Sequence, residues 1–260
     1  MLFVFKKWRV FSPWNKKPVT DCFSSMNAVF KLEGKIISRS TQSEIFAHKI
    51  EGKTYFVKRY FRLKGVGNWF GFSRLQIEAR NQNWFNEMDI PAARVVAYGD
   101  ERFFLKTRRG ILITEGIENV TELAAIAEQN PDKFQNNNWC DSVISQLANV
   151  VAKLHQNRFC HNDLHWRNIL IQESEVNGEP KVYLIDCPSG KRLFWPFLSY
   201  RKLKDLASLD KLAPNYLTRT QRLRFFLEYR QIAKLSDKDK KMIYDIFAHK
   251  TNRLKRKAKG

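Results

Sequence analysis

The stretch His161-Asn162-Asp163-Leu164-His165-Trp166-Arg167-Asn168 is followed, eighteen residues after Asn168, by Asp186 at the end of Leu184-Ile185-Asp186. This order of side chains suits phosphoryl transfer from ATP. One carboxylate stands beside the attacking hydroxyl, while an amide oxygen and a second carboxylate hold Mg²⁺. Asp163 is the candidate catalytic base, Asn168 and Asp186 are the candidate metal ligands, and His161, which opens the loop, is expected to support it. An isolated aspartate in a loop is ordinarily a turn former or helix cap. The interval H-x-D-x-x-x-x-N, followed by an apolar run ending in Asp, is what points to chemistry.

A kinase loop of this kind requires a lysine on a β-strand to grip the α- and β-phosphates, and Tyr55-Phe56-Val57-Lys58 supplies it. Side chains alternate along a strand, so Arg59 faces away from Lys58. Glu78, on the next helical stretch, is the candidate partner that fixes the lysine; its ordinary reading is a surface glutamate. Backbone from Glu115 to Ile117 is the candidate adenine contact, or simply a turn after a strand. The phosphate-covering turn is expected around Ser38 to Ser43. Gly65, Gly67 and Gly71 follow the lysine strand at the wrong spacing for a dinucleotide fingerprint.

These residues need elements to position them. Val29 to Leu32, Glu44 to Ile50 and Lys53 to Tyr60 are strand-like, with Glu51-Gly52 as a hairpin turn between the last two. A helix is expected from Phe72 to Met88, ending before Pro91. Strands follow near Arg94 to Tyr98, Phe103 to Thr107 and Ile111 to Thr114. From Asp141 the spacing of Val143, Leu147, Val150, Val151 and Leu154 is helical, and that helix leads into the loop carrying Asp163. Asp205, in Lys204 to Leu209, is either a brace for the amides of that loop or an acid favoured near a helix N-terminus. A β-rich first half and a helical second half imply an α+β, bilobal, protein-kinase-like fold. The N-lobe is expected over about residues 20–115 and the C-lobe over about 118–250, leaving a basic tail at 251–260.

Together these residues resemble the lipopolysaccharide kinase family, the Kdo/heptose (WaaP-type) sugar kinases of Gram-negative bacteria. The likeness rests on Tyr55 to Lys58, Glu78, Ile90-Pro91, Val96 to Gly99, Ile113 to Glu115, His161 to Asn168, Ile185-Asp186, Lys204 to Leu209 and Leu223 to Phe225. The resemblance implies ATP- and Mg²⁺-dependent phosphorylation of a sugar hydroxyl in the lipopolysaccharide inner core, at the cytoplasmic face of the inner membrane. Asn162 stands where protein kinases carry an arginine, and Cys187-Pro188 follows the metal aspartate in place of Phe-Gly. Control by activation-loop phosphorylation is therefore not expected. The same loop is similar to aminoglycoside and choline phosphotransferases, so another small acceptor, or a protein, stays open.

Charge narrows the acceptor. Lys and Arg number 46 against 26 Asp and Glu, a formal net charge of +20, which disfavours a polycationic aminoglycoside and favours an anionic partner such as the lipid A–core region. Basic and aromatic residues interleave at Phe3 to Trp14, Arg62 to Arg74 and Lys191 to Lys204, a mixture suited to an anionic membrane surface, although solvated basic faces and core aromatics give similar text. The cationic tail from Lys250 is a frayed end or a further membrane contact. A nucleic-acid-binding protein would share the charge, but no zinc finger, RNP motif or helix-turn-helix pattern accompanies it. A non-catalytic kinase fold is disfavoured by the presence of Lys58, Asp163, Asn168 and Asp186 together.

Cys22, Cys140, Cys160 and Cys187 show no disulfide or zinc spacing, which suits a reducing cytoplasm. The apolar start at Met1 to Phe5 is broken by Lys6, Lys7 and Arg9 and makes no convincing signal peptide. No apolar run approaches the roughly 20 residues that span a bilayer. Oligomeric state leaves no trace in the sequence.

Overall fold

Period-two alternation in the first half of the chain produces strands with two distinct apolar faces, each covered by helix. In the computed structural model the described residues are 4–61, 73–104, 106–173 and 178–257, with side chains described as far as residue 249. Two compact units divide the chain, Met1–Glu118 and Asn119–Gly260.

In the first unit β1 (Val4–Val10), β2 (Lys35–Arg39), β3 (Ser43–Ile50), β4 (Lys53–Tyr60), β5 (Val95–Phe103) and β6 (Lys106–Glu115) form an antiparallel sheet in the order β1-β5-β6-β4-β3-β2. Tyr55, Val57, Ile111 and Ile113 face one side, where they pack with Phe23, Met26 and Val29 from α1 (Val19–Cys22), α2 (Met26–Lys31) and their linker. Tyr60 and Leu112 face the other side and pack with Leu75 and Ala79 of α3 (Arg74–Glu87). Ser73 starts α3 with a reciprocal capping box to Gln76, a device that contributes about 1 kcal/mol. Glu51 and Gly52 both adopt positive φ, 48° and 80°, the geometry of the tight hairpin turn between β3 and β4.

Three expectations are corrected here. Val29 to Leu32 is not a strand: Val29 lies in α2, which starts where the Ser25 side chain accepts the Ala28 N–H at 3.1 Å. A four-residue apolar run is ambiguous between the two periods, and the serine cap decides it. Phe103 to Thr107 spans the turn of the β5–β6 hairpin, with Phe104 at φ 52°. Val4–Val10, upstream of the expected start of the β-rich lobe, is an edge strand on β5. Its neighbourhood uses aromatics for packing: Trp8 donates its indole N–H to the Phe23 carbonyl at 3.0 Å, and Trp14 is buried. Those two rings are therefore not displayed to a lipid surface.

Arg59, facing away from Lys58 as expected, is buried and donates to the carbonyls of Val29 and Leu32 at the C-terminal end of α2, while stacking over Phe46. A cation at that end satisfies carbonyls that have no intrahelical partner.

The second unit contains β7 (Val120–Glu122), α4 (Leu123–Gln129), α5 (Asn137–Gln156), β8 (Phe159–Cys160), β9 (Ile169–Gln172), β10 (Lys181–Leu184) and β11 (Lys191–Arg192). These are followed by α6 (Phe197–Leu209), α7 (Ala213–Tyr216), α8 (Arg219–Arg230) and α9 (Asp237–Lys257). Asn136 caps α5 through the Trp139 N–H at 3.1 Å, so the helix begins four residues before Asp141. α5 buries Val143, Leu147, Val151 and Leu154 and packs on α8, while α6 packs on α9. β9 lies between β10 and β7, and β11 pairs with β8. Gly65, Gly67, Gly71, most of Arg62 to Arg74, and the side chains of the tail from Lys250 lie outside the described residues. No helix among the described residues is long and apolar enough to cross a membrane.

Candidate active site

In the β-rich unit Lys58 lies on β4, opposite Ile45 of β3 and Leu112 of β6, so its backbone is held on both sides. Its ammonium reaches the two carboxylate oxygens of Glu78 on α3 at 2.7 and 3.0 Å. Tyr60, two residues along on the same strand face, donates its hydroxyl to the Glu78 carboxylate at 2.5 Å. Burial, followed by the neighbouring Glu78 charge, pushes the Tyr60 phenol pKa up, so it stays a donor. Sequence reasoning missed Tyr60, although its position two residues after Lys58 was a usable signal.

The turn between β2 and β3 falls at Ser40 to Ser43. Ser40 Oγ accepts the N–H groups of Gln42 and Ser43 at 3.3 and 3.1 Å, the kind of amide pair a phosphate oxygen engages. After β6, the Glu115 N–H donates to the Arg94 carbonyl at 2.9 Å, and the Gly116 N–H to the Thr54 carbonyl at 2.8 Å. These bonds anchor the segment leading to Ile117, but they occupy the Glu115 donor that an adenine would use.

In the helical unit β8 delivers the chain into the loop carrying Asp163. Asn162 adopts a left-handed backbone, φ 64°, which an asparagine tolerates, and its side-chain amide donates to the carbonyls of Cys160 and Ser189 at 3.2 and 2.9 Å. The residue that replaces the protein-kinase arginine thus shapes the loop, a role not seen in the sequence. Asp163 and Asn168 are brought together: the Asn168 amide nitrogen donates to the Asp163 carbonyl at 2.7 Å and to its carboxylate at 3.1 Å. With that NH₂ group facing Asp163, Asn168 Oδ1 is the atom able to face a cation. The Ile185 N–H donates to the Asn168 backbone carbonyl at 3.0 Å, which ties Asp186 to the same loop. Asp186 itself has φ 52°, a sparsely populated conformation for a residue with a side chain.

Burial alone would raise the Asp163 pKa. Hydrogen bonds from Arg167 and Asn168, and the positive charge of Arg167, outweigh it and hold the carboxyl below its ordinary range. Arg167 approaches one oxygen at 3.1 Å and His165 the other at 3.4 Å. His161 is fully buried, and burial, opposed by the charges of Asp205, Asp163 and Asp186, lowers its pKa and keeps the imidazole neutral.

Asp205 is placed within α6, well past its first turn, and its buried carboxylate accepts the N–H groups of His161 and Asn162 at 2.7 and 2.8 Å. Of the two readings of this aspartate, the brace is the one the geometry fits. Lys204 donates to the Asn162 carbonyl at 3.1 Å from the same helix. His155 of α5 lies 3.4 Å from Asp205 Oδ2 and 2.9 Å from the Tyr229 hydroxyl. Nothing in local spacing could have paired His155 with Tyr229, 74 residues away.

Asn168 Oδ1 and the Asp186 carboxylate are hard oxygen donors of the kind Mg²⁺ takes. His155, Cys160 and Asp205 also cluster, but they suit a cation poorly. Burial pushes the Cys160 thiol up to about 12, and both Asp205 oxygens already accept amide hydrogens. A cavity of about 520 Å³ in this unit is lined mostly by apolar side chains, including Trp139, Leu147 and Phe226, with Asp210 paired to Arg222 at 2.7 Å. It lacks the grouped carboxylate and amide oxygens that the loop presents at Asp163 and Asn168.

The sequence model of the lipopolysaccharide kinase (Kdo/WaaP) family matches residues 32–229. A 3-deoxy-D-manno-octulosonic acid kinase of Actinobacillus succinogenes is 28% identical over 130 residues, 49% of this chain and 50% of that protein. One from Mannheimia succiniciproducens is 25% identical over 169 residues, 60% of this chain and 65% of that protein. The chain thus spans about half to two thirds of the length of these curated relatives. A solved structure of WaaP in complex with acyl carrier protein matches with a TM-score of 0.66 at 19% identity, covering 97% of this chain and 98% of the other. The α+β, protein-kinase-like fold expected from the sequence is therefore the observed one, with a β-rich first unit and a helical second unit.

Proposed function

The chain belongs to the lipopolysaccharide kinase (Kdo/WaaP) family, and from that premise we propose that it phosphorylates a sugar hydroxyl of the lipopolysaccharide inner core. The observation that carries this reading is the Asn168 amide turned toward Asp163, which leaves an oxygen for a cation and keeps an ionised carboxylate beside it.

Each residue has a stated task. Asp163, ionised at neutral pH, accepts the proton of the attacking sugar hydroxyl and orients it. Asn168 and Asp186 hold Mg²⁺, which when bound neutralises charge on the phosphates of ATP. Lys58, paired with Glu78, grips the α- and β-phosphates, and the Glu115 carbonyl and Ile117 N–H, the backbone groups left by the bonds to Arg94 and Thr54, receive the adenine. Asp205 and His161 keep the loop in shape. The sugar oxygen must attack the γ-phosphorus in line with the bond that breaks to release ADP, so what these residues contribute is chiefly positioning and charge stabilisation.

The curated relatives are named as kinases of 3-deoxy-D-manno-octulosonic acid, which supports Kdo over heptose as the acceptor sugar. A net charge of +20 supports an anionic acceptor and disfavours a polycationic aminoglycoside, while family membership supports a lipid-anchored acceptor at the cytoplasmic face of the inner membrane. The test is incubation of wild type and Asp163→Ala with ATP, Mg²⁺ and Kdo-bearing or heptose-bearing lipid A. Phosphate incorporation into the Kdo acceptor by the wild type alone is expected. Equal incorporation by both proteins, or by neither, overturns the reading.

A further inference from the structure

We propose that residues 193–200, joining β11 to the first turn of α6, form a docking surface for an anionic phospholipid bilayer. This deepens the reading of the protein as a kinase for a lipid-anchored acceptor by naming the part that meets the membrane.

Phe194, Trp195, Phe197 and Tyr200 are 69%, 83%, 69% and 58% exposed. Aromatic rings are ordinarily buried, and a dense exposed group of them marks a binding surface. The segment from Cys187 to Lys204 contains Lys191, Arg192, Arg201, Lys202 and Lys204 and no acidic residue. Charge and ring are interleaved in space as well as in sequence: the Arg158 guanidinium lies 5.6 Å from the Phe194 ring centre, and that of Arg201 lies 5.9 Å from Tyr200.

Aromatic tips with cationic shoulders match a bilayer surface, where rings settle at headgroup depth and Lys or Arg meet anionic headgroups. A second copy of this chain, also at +20, is electrostatically repelled, and exposures of 58–83% describe rings that protrude, not the walls of a groove.

α6 ties this surface to the chemistry. Phe197 starts the helix, and Arg201, Lys204 and Asp205 further along it bond to Asn162 or to the loop amides. From Phe197 to Asp205 the helix advances about 12 Å. A bilayer holding Phe197 would therefore hold the catalytic loop close to its surface, where the sugar of an embedded lipid acceptor sits.

The test is co-sedimentation with vesicles of phosphatidylcholine alone and of phosphatidylcholine mixed with phosphatidylglycerol, comparing wild type with the triple variant Phe194→Ser, Trp195→Ser, Phe197→Ser. These side chains are exposed, so circular dichroism should be unchanged. Wild type is expected to bind the anionic vesicles and the variant to bind about tenfold more weakly or worse. Brominated phospholipid should quench a tryptophan component that Trp195→Phe removes. Phosphorylation of a delipidated core sugar should be equal in the two proteins, while phosphorylation of vesicle-embedded acceptor falls in the variant. Equal vesicle binding by variant and wild type overturns the proposal. So does wild-type binding to an acidic protein without binding to anionic vesicles. Vesicle binding that depends on these rings, in a protein without sugar-kinase activity, leaves the docking surface standing and removes the proposed reaction.

Discussion

The Asp205 carboxylate accepts the backbone N–H of His161 at 2.7 Å, and the same side chain accepts the N–H of Asn162 at 2.8 Å. A buried acid on α6 thereby fixes the residues that precede Asp163, and a rigid loop is what a positioned general base requires. Asp205→Ala takes the partner from the buried His161 N–H, at a cost of about 1–3 kcal/mol, and from the partly buried Asn162 N–H, at a smaller one. The expected outcome is a lower urea midpoint and a kcat that falls more than KM for ATP changes. Unchanged kcat in a folded variant would show that the loop holds its shape without the brace.

Glu78 is engaged by both Lys58 and Tyr60, and its side chain is only 8% exposed. Lys58→Met abandons a buried carboxylate and should cost about 3 kcal/mol or more of stability, whereas Lys58→Met with Glu78→Leu should recover much of that loss without restoring activity. Urea denaturation of both variants, alongside ATP turnover, checks the pair. Equal stability of the single and double variants would argue against a buried ion pair.

Asp163→Asn should lower kcat by about 10²–10⁴ with little change in ATP affinity. The wild-type carboxyl titrates below its ordinary value of 3.8, so it remains ionised, and able to accept a proton, at every pH above that value. The acid limb of the kcat profile due to Asp163 should therefore lie below pH 3.8, and Arg167→Gln, by removing a hydrogen bond and a charge, should move it upward. A limb that stays in place in Arg167→Gln would assign it to another group.

His155 is buried against Asp205, Tyr229 and Cys160, with Lys202 also repelling added positive charge, and burial lowers its pKa from the ordinary 6.5. The neutral ring donates from Nε2 to Asp205, which cannot donate, and accepts the Tyr229 O–H at Nδ1. A depressed folded pKa contributes stability that is fully present above 6.5 and is lost as pH falls through the folded value, because the unfolded chain takes up the proton first. The expected slope from this residue is at most about 1.4 kcal/mol per pH unit below pH 6.5. Urea midpoints across that range, wild type against His155→Gln, measure it; identical slopes would remove His155 as the cause.

The order and types of the polar residues carrying the proposed chemistry were legible in the chain, because phosphoryl transfer needs a few oxygen and nitrogen groups at spacings that one loop and the following strand can supply. Strand alternation also identified the faces of Lys58 and Arg59. Short apolar runs were less legible. Val29 to Leu32 suits either period, and only the Ser25 cap resolves it. Tryptophan and phenylalanine stand among basic residues both near the N-terminus and after β11, yet Trp14 is buried and Trp195 is 83% exposed.

By itself the sequence determined which groups can ionise, donate or ligate, and the local periods that make strand or helix. Tertiary structure alone decided which of them meet. Asp205 reaches His161 across 44 residues and Tyr229 reaches His155 across 74. Local periodicity sets the face a side chain occupies, whereas its partner depends on which distant elements pack there and exclude water, a property of the whole chain's burial.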